Sequence, residues 1–297
     1  MAIGKVAIQN LAIVVDSSCC LPQDLVRTWH ITVVPHELVV GDRTYLDGVD
    51  IQPAEFYRLL SSGRDRITTA APSPQRFAEG FAAAAEIAPI VLCLTLSANF
   101  SMTHGSAVAA ANSTGGANVT VVDTGAAAGS LGLIALAAAR SSASNQPLDV
   151  VLEQVYVLAA KVELVAFLDT LKYLGRGGRI GPLQGWAGSM LGIKPVTGLR
   201  MGEARLLGRP RSRARATQRL LDIMGERARG EPLVVNVLEA GAAEEAQELG
   251  DAVATNFDCR ELIVSKFTPV MGAHTGPGLL GLAFHTDYNS PVDEKGD

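Results

Sequence analysis

Residues 89–111 read PIVLCLTLSANFSMTHGSAVAAA, and this stretch decides the architecture. Positions 90–96 are apolar without alternation, which predicts a strand covered on both faces. A short polar turn follows, and an alanine-rich helix is expected from about Ser101 to Ala111. A doubly buried strand leading into a helix belongs to a parallel sheet with helices on both sides. The turn itself carries chemistry. Free N–H groups at a helix start favour an anion, and the hydroxyls of Ser101 and Thr103 add donors. Ser101 merely capping its helix accounts for the same residues, and both readings stand at this level. A nucleophilic Ser101 lacks the G-x-S-x-G elbow, and His104 is expected to point away from it.

The pattern repeats on either side. LAIVVDSS (11–18) is a strand ending in polar residues, PQDLVRTW a helix, ITVVPHELVV a second strand and GDRTYLDG a turn-rich link. PAEFYRLLSS is a helix, as is the stretch after Ser73, with Pro74 at its first position. ANVTVVDT is another buried strand, and residues 128–140 another helix. SSASNQPLD (141–149) is the best boundary. Beyond it VELVAFL, PLVVNVLEA, RELIVSKFTPV and LLGLAFH read as strands, with helices at RARATQRLLDIMGERA and AAEEAQELGDAVATNF. LGIKPVTGLRMGEARLLG reads as two strands around a turn at RMGE. The expectation is an α/β protein of two domains with a ligand between them: a three-layer parallel-sheet domain over 1–147 and an α/β domain with a mixed sheet over 148–297.

Bulk properties narrow the function. At 297 residues, with 48% hydrophobic and 19% charged residues, the chain is long enough for two cores and is globular in composition. A net charge of −5 gives no global attraction to nucleic acid or anionic membranes, although residues 200–229 hold nine arginines. That set reads either as a solvated helix face or as a docking patch for phosphate or an acidic partner. Cys19, Cys20, Cys93 and Cys259 have no metal-ligand spacing and suggest free thiols in a reducing compartment. The N-terminus lacks a signal-peptide pattern, and a cytoplasmic location is expected.

Two glycine motifs mislead. GPGLLG (276–281) matches G-x-G-x-x-G but precedes a strand near the chain's end, and GRGGRIG (175–181) lacks the Lys-Ser/Thr of a phosphate loop. No cofactor and no metal are expected. Thr68 and Thr69 in ITTAAPSP sit in an expected loop, where they would share the strands' carboxyl edge with Ser101. Ordinary turn chemistry explains them equally well. His274 in GAHTGPG is placed in a loop among glycines, where an imidazole can reach a ligand, although a lone loop histidine is more often a plain hydrogen-bonding residue.

Taken in order, these segments resemble the DegV family of fatty-acid-binding proteins over nearly the whole chain. VVDSSCCLP is similar to the family's D-S-T-x-D-L-P, and VVPHELVVGDRTYLDGVDI to its V-P-L strand and Y-x-D segment. TAAPS stands where the family has T-S-Q-P-S, and SANFSMT where it has S-S-x-L-S-G-T. LKYLGRGGRIG, GIKP and AHTGPGLLGLAF resemble L-x-x-L-x-x-G-G-R-I-S, I-K-P and H-x-G-P-G-x-x-G. The resemblance implies one long-chain fatty acid buried between the domains, its carboxylate held by Thr69 and Ser101 with His274 near that headgroup, and Thr103 and Arg179 as further ligand-binding residues. It further implies that a partner kinase phosphorylates the bound acid to an acyl phosphate, with Arg211 linked to that step. Binding nucleic acid is not implied, and the carrier role allows transient, peripheral membrane contact.

The chain departs from the family's pattern at Ala70 and Ala71 for Ser-Gln, Met102 for Gly, His36 for the leucine after V-P, and Gly181 for Ser. Fatty-acid binding suits an aliphatic chain with only 5% aromatics. Each buried methylene contributes about 0.8 kcal/mol, so a sixteen-carbon tail contributes roughly 10 kcal/mol before ordering costs. The rival enzyme reading is a serine acyl hydrolase with Ser101 as nucleophile, His274 as base and Asp16 as the one acidic orienter. A nucleic-acid regulator acting through the 200–229 arginines lacks any accompanying recognition motif.

Overall fold

Short apolar runs become strands and the alanine-rich stretches become helices in the computed structural model, which describes residues 10–63, 66–113, 118–176 and 192–286. The first half runs β1 (Leu11–Asp16), a 3-10 turn (Ser17–Cys19), α1 (Gln23–Thr28), β2 (Thr32–Val34), β3 (Glu37–Val40), β4 (Arg43–Leu46), α2 (Pro53–Ser62), β5 (Ile67–Ala70), α3 (Pro74–Ala85), β6 (Ile90–Thr95), α4 (Thr103–Ser113), β7 (Asn118–Asp123) and α5 (Gly129–Ala143). The second half runs α6 (Leu148–Lys161), β8 (Glu163–Phe167), α7 (Lys172–Arg176), β9 (Val196–Arg200), β10 (Glu203–Gly208), α8 (Arg213–Ala228), β11 (Leu233–Glu239), α9 (Ala243–Asn256), β12 (Cys259–Lys266), α10 (Pro269–Thr275) and β13 (Leu280–Thr286).

The expected parallel sheet has the order β2-β1-β6-β7, every pair parallel. Its two faces follow the alternation of strand side chains. Ala12 and Val14 of β1 pack with Phe77 and Phe81 of α3 and with Ala107 and Ala110 of α4. Leu11, Ile13 and Val15 point the other way, into the cluster built around α5. Ser73 caps α3 by accepting from the Arg76 N–H at 3.2 Å, with Pro74 opening the helix.

Three expectations change here. ITVVPHELVV is not one strand, because Pro35 offers no N–H to a ladder and divides it into β2 and β3. The supposed links at Arg43–Leu46 and Ile67–Ala70 are strands that complete a separate antiparallel sheet, β4-β3-β5. Helix α4 begins at Thr103, not Ser101; the Met102 carbonyl accepts its first bond, from Ser106 N–H at 3.0 Å.

The second half builds a six-stranded mixed sheet, β10-β9-β8-β13-β11-β12, parallel only between β11 and β12. One face is covered by α8 and α9, through Leu220, Ile223, Leu249 and Val253. The other face, with Leu164, Ala166, Leu238 and Ala283, joins the same core cluster as β1 and α5. Helix α5 is apolar nearly all round and is accordingly buried as a shared layer between the two large sheets. Two glycines permit that approach. A Cβ on Gly132 would stand 2.5 Å from the Cys19 carbonyl oxygen, and one on Gly129 would stand 2.9 Å from Leu238 and from the Asn236 amide.

The β9–β10 hairpin turns through Met201 and Gly202, both with positive φ, as a two-residue turn with native strand twist requires. Its tip docks on the first half: Asn99 Nδ2 donates to the Gly202 carbonyl at 3.1 Å, and Gly202 N–H to the Gly125 carbonyl at 2.6 Å. Among the described residues no helix is long and apolar enough to cross a membrane.

Candidate functional site

Where the carboxyl ends of β1 and β6 face the mixed sheet, the two halves enclose a cavity of about 180 Å³. That is room for on the order of a dozen water-sized occupants. Leu164, Ala166 and Leu168 line it from β8 and its exit, Leu199 and Ala204 from the hairpin, and Phe267 and Met271 from the segment after β12. The wall is apolar, and along β8 this follows from side-chain alternation: Val165 and Phe167 turn to α8 while Leu164 and Ala166 face the cavity.

Polar groups gather where Ser18, His36, Thr69, Ser101 and His274 enter the lining. Thr69, on β5, brings its hydroxyl 2.8 Å from His274 Nε2 in the last turn of α10. Ser101 Oγ lies 2.8 Å from Thr103 Oγ1 and accepts from the Thr103 N–H at 3.3 Å. Behind Thr103 a buried chain continues. His36 Nε2 meets Thr103 Oγ1 at 3.0 Å, and His36 Nδ1 meets Ser17 Oγ at 3.2 Å. Ser17 Oγ donates to Asp47 Oδ2 at 2.6 Å and accepts from the His36 N–H at 3.1 Å. Asp47 Oδ1 in turn accepts from the Val270 N–H at 3.0 Å, tying the chain to α10. Burial pushes the Asp47 carboxyl above its ordinary value, and the Ser17 and Val270 hydrogen bonds oppose that shift. Asp16 Oδ1, 3.8 Å from His36 Nδ1, accepts from Ser18 N–H and Oγ–H, and its Oδ2 accepts from the Leu96 N–H at 2.8 Å.

Of the residues singled out in the sequence, Thr69, Ser101 and His274 line one cavity. Thr103 stands behind Ser101, fully buried, with its hydroxyl between Ser101 and His36. His274 belongs to a helix and not to a loop, because Pro269 opens a turn that Gly276 closes with φ of 80°. Its Nε2 engages Thr69, whereas the hydrolase reading needs that nitrogen on Ser101. Arg179 and Gly181 lie outside the described residues. Arg211 is exposed in the link between β10 and α8. The bonding there falls to the half-buried Arg213, which donates to Asp169 at 2.6 Å, to the Gly278 carbonyl at 2.7 Å and to Glu245. Arg200, Arg205, Arg219 and Arg227 are also ion-paired, so much of the arginine patch is spent within the chain. Met102 is 75% exposed and adds no bulk to the site, while Ala70 and Ala71 do line the cavity.

Sequence reasoning missed Ser17, Ser18 and Asp47. The available signal was the DSS that ends β1, since ligand groups gather at the carboxyl edge of parallel strands.

Two sheets of different kind, in an α/β protein, close here on a largely apolar cavity with polar groups gathered in one part of its lining. The chain belongs to the DegV family: residues 10–287 match the family described as "Uncharacterised protein, DegV family". It is 38% identical over 276 residues to DegV domain-containing protein SCO2569 of Streptomyces coelicolor, covering 92% of this chain and 98% of that one. Among solved structures it is similar to a DegV family protein from Thermus thermophilus described by its fatty acid binding, at TM-score 0.88 and 32% identity over 94% of this chain and 100% of that one. It is likewise similar to DegV of Bacillus subtilis, described as a fatty acid binding protein, at TM-score 0.83 and 26% identity over 94% of this chain and all (100%) of that one.

Proposed function

We propose that this protein binds one long-chain fatty acid, tail in the aliphatic cavity and carboxylate on the hydroxyls of Thr69 and Ser101, with His274 adjacent. The observation that carries the reading is the lining of the cavity: the hydroxyls of Ser18, Thr69 and Ser101 gather with the imidazoles of His36 and His274, while most of the remaining lining is apolar. Hydroxyl and imidazole donors orient a carboxylate without the bidentate grip of an arginine, which suits a carrier that must release its cargo. The protein does no chemistry of its own and presents the acid to a partner kinase for acyl-phosphate formation, with the exposed Arg211 serving the handoff and Arg179, outside the described residues, proposed as a further ligand-binding residue. We place the division between the two domains at 147/148, after α5. The relatives described as fatty-acid-binding support the ligand class.

The test is solvent extraction of the purified chain followed by mass spectrometry and titration with added fatty acid. Near-stoichiometric fatty acid, or saturable binding of one molecule per chain, is expected. Neither bound lipid nor binding of added acid would refute the reading.

A further inference from the structure

The Thr69 and Ser101 arms of the polar end differ in their supply of protons. If both hydroxyls donate to a ligand carboxylate, as the reading above requires, every contact behind them needs its hydrogen from elsewhere. Behind Thr69 that contact is the 2.8 Å pair with His274 Nε2, and a neutral imidazole carrying its hydrogen there supplies it.

The Ser101 arm is longer. It runs Ser101–Thr103 at 2.8 Å, Thr103–His36 Nε2 at 3.0 Å, His36 Nδ1–Ser17 at 3.2 Å and Ser17–Asp47 at 2.6 Å. Asp47 accepts at both oxygens, from Ser17 Oγ–H and from the Val270 N–H, as an ionised carboxylate does, and with a neutral imidazole the four contacts then hold four hydrogens: one from each of three hydroxyls and one on the ring. The free chain is therefore complete. A carboxylate on Ser101 adds a fifth contact and brings no hydrogen. Turning the hydroxyls or changing the imidazole tautomer moves the gap along the chain and does not close it.

We infer that carboxylate binding draws one proton from solvent into this chain, and that His36 is the positioning residue that creates the demand. The proton resides on the imidazole, on Asp47 or on the ligand carboxyl. In each case the complex holds one proton more than the separated partners. The charged or titratable groups around His36 are Asp16 from the end of β1, Asp47 from the exit of β4 and His274 of α10, which lines the same cavity. Glu37, its chain neighbour, lies 3.9 Å from Arg76. Burial holds the thiols of Cys19, Cys20 and Cys93 and the Tyr57 phenol in their protonated forms, so they compete for no proton here. The upward shift of Asp47 favours proton retention in the same place.

Calorimetric titration of the full chain with dodecanoate, repeated in buffers of different ionisation enthalpy near pH 8, reads the uptake directly. About one proton per bound ligand is expected, with Kd rising about tenfold per pH unit above neutrality. His36→Leu removes the demand, and Thr103→Val does so by cutting the chain should the first variant not fold; either is expected to bind with uptake near zero. Wild-type binding without proton uptake, or uptake persisting in the variants, overturns the inference and leaves the carboxylate reading intact. No binding by the wild type removes that reading, and the inference with it.

Discussion

Removing both headgroup hydroxyls, by Thr69→Val with Ser101→Ala, separates the polar end from the tail. Each hydroxyl that donates to a carboxylate contributes about 1.5–3 kcal/mol. His274, 2.8 Å behind Thr69, and Thr103, 2.8 Å behind Ser101, stay in place as substitute donors, so the lower end of that range applies. The pair then costs about 3–4 kcal/mol, which is on the order of 10²–10³-fold in Kd. The tail's burial is untouched, so binding weakens without vanishing. Folding should survive, since Thr69 and Ser101 are only partly buried and valine suits strand β5. The assay is displacement of a fluorescent fatty acid, with the methyl ester of the same acid as the control that carries no anionic headgroup. Wild type should prefer the acid over the ester by a margin that the double variant loses. A variant that binds the acid within about threefold of wild type at unchanged melting temperature would show that the carboxylate sits elsewhere.

Two further outcomes follow from the packing. Gly132→Ala drives a Cβ to 2.5 Å from the Cys19 carbonyl oxygen. The clash costs about 1–3 kcal/mol and outweighs the helix-propensity gain of about 1 kcal/mol, so thermal unfolding should shift down by a few degrees. Gly105→Ala is the opposite case, since its Cβ would meet nothing nearer than Met102 Cε at 3.7 Å, and a gain of about 0.5–1 kcal/mol is expected. A calorimetric melt in which both move the same way would contradict the packing described. Thiol labelling tests the core: Cys19, Cys20 and Cys93 are buried, and Cys20 is pushed up to about 12, whereas Cys259 is half-buried. An aromatic disulfide reagent at pH 8 should therefore modify one thiol slowly in the native protein and all four after denaturation. Rapid modification of two or more native thiols would refute the buried assignment.

Local pattern was enough for the elements whose causes are local. The unalternating run of β6, the Ser73–Pro74 start of α3, the turn of β9–β10 and the largely apolar α5 could each be read from their own residues, because burial on two sides, caps and positive-φ turns leave marks within a few positions. The family likeness, and the choice of Thr69, Ser101 and His274, came from motifs standing in order along the chain. Pro35 was visible too, but the sheet that β3 joins was not, since β4 and β5 are short strands whose pairing shows only once they meet. His274 was legible as a residue and not as part of a helix, as glycines flank a stretch of seven residues. Least legible was the chain from Asp47 to Ser101. Its links join positions up to 67 residues apart, and none of Ser17, His36 or Thr103 carries a sign that the others lie beside it. The sequence by itself determined most of the longer strands and helices, and the family. Only the tertiary structure decided that α5 is shared by two sheets and that His36 stands behind Ser101, because hydrogen-bond partners and close backbone approaches are properties of folded distances and not of spacing along the chain.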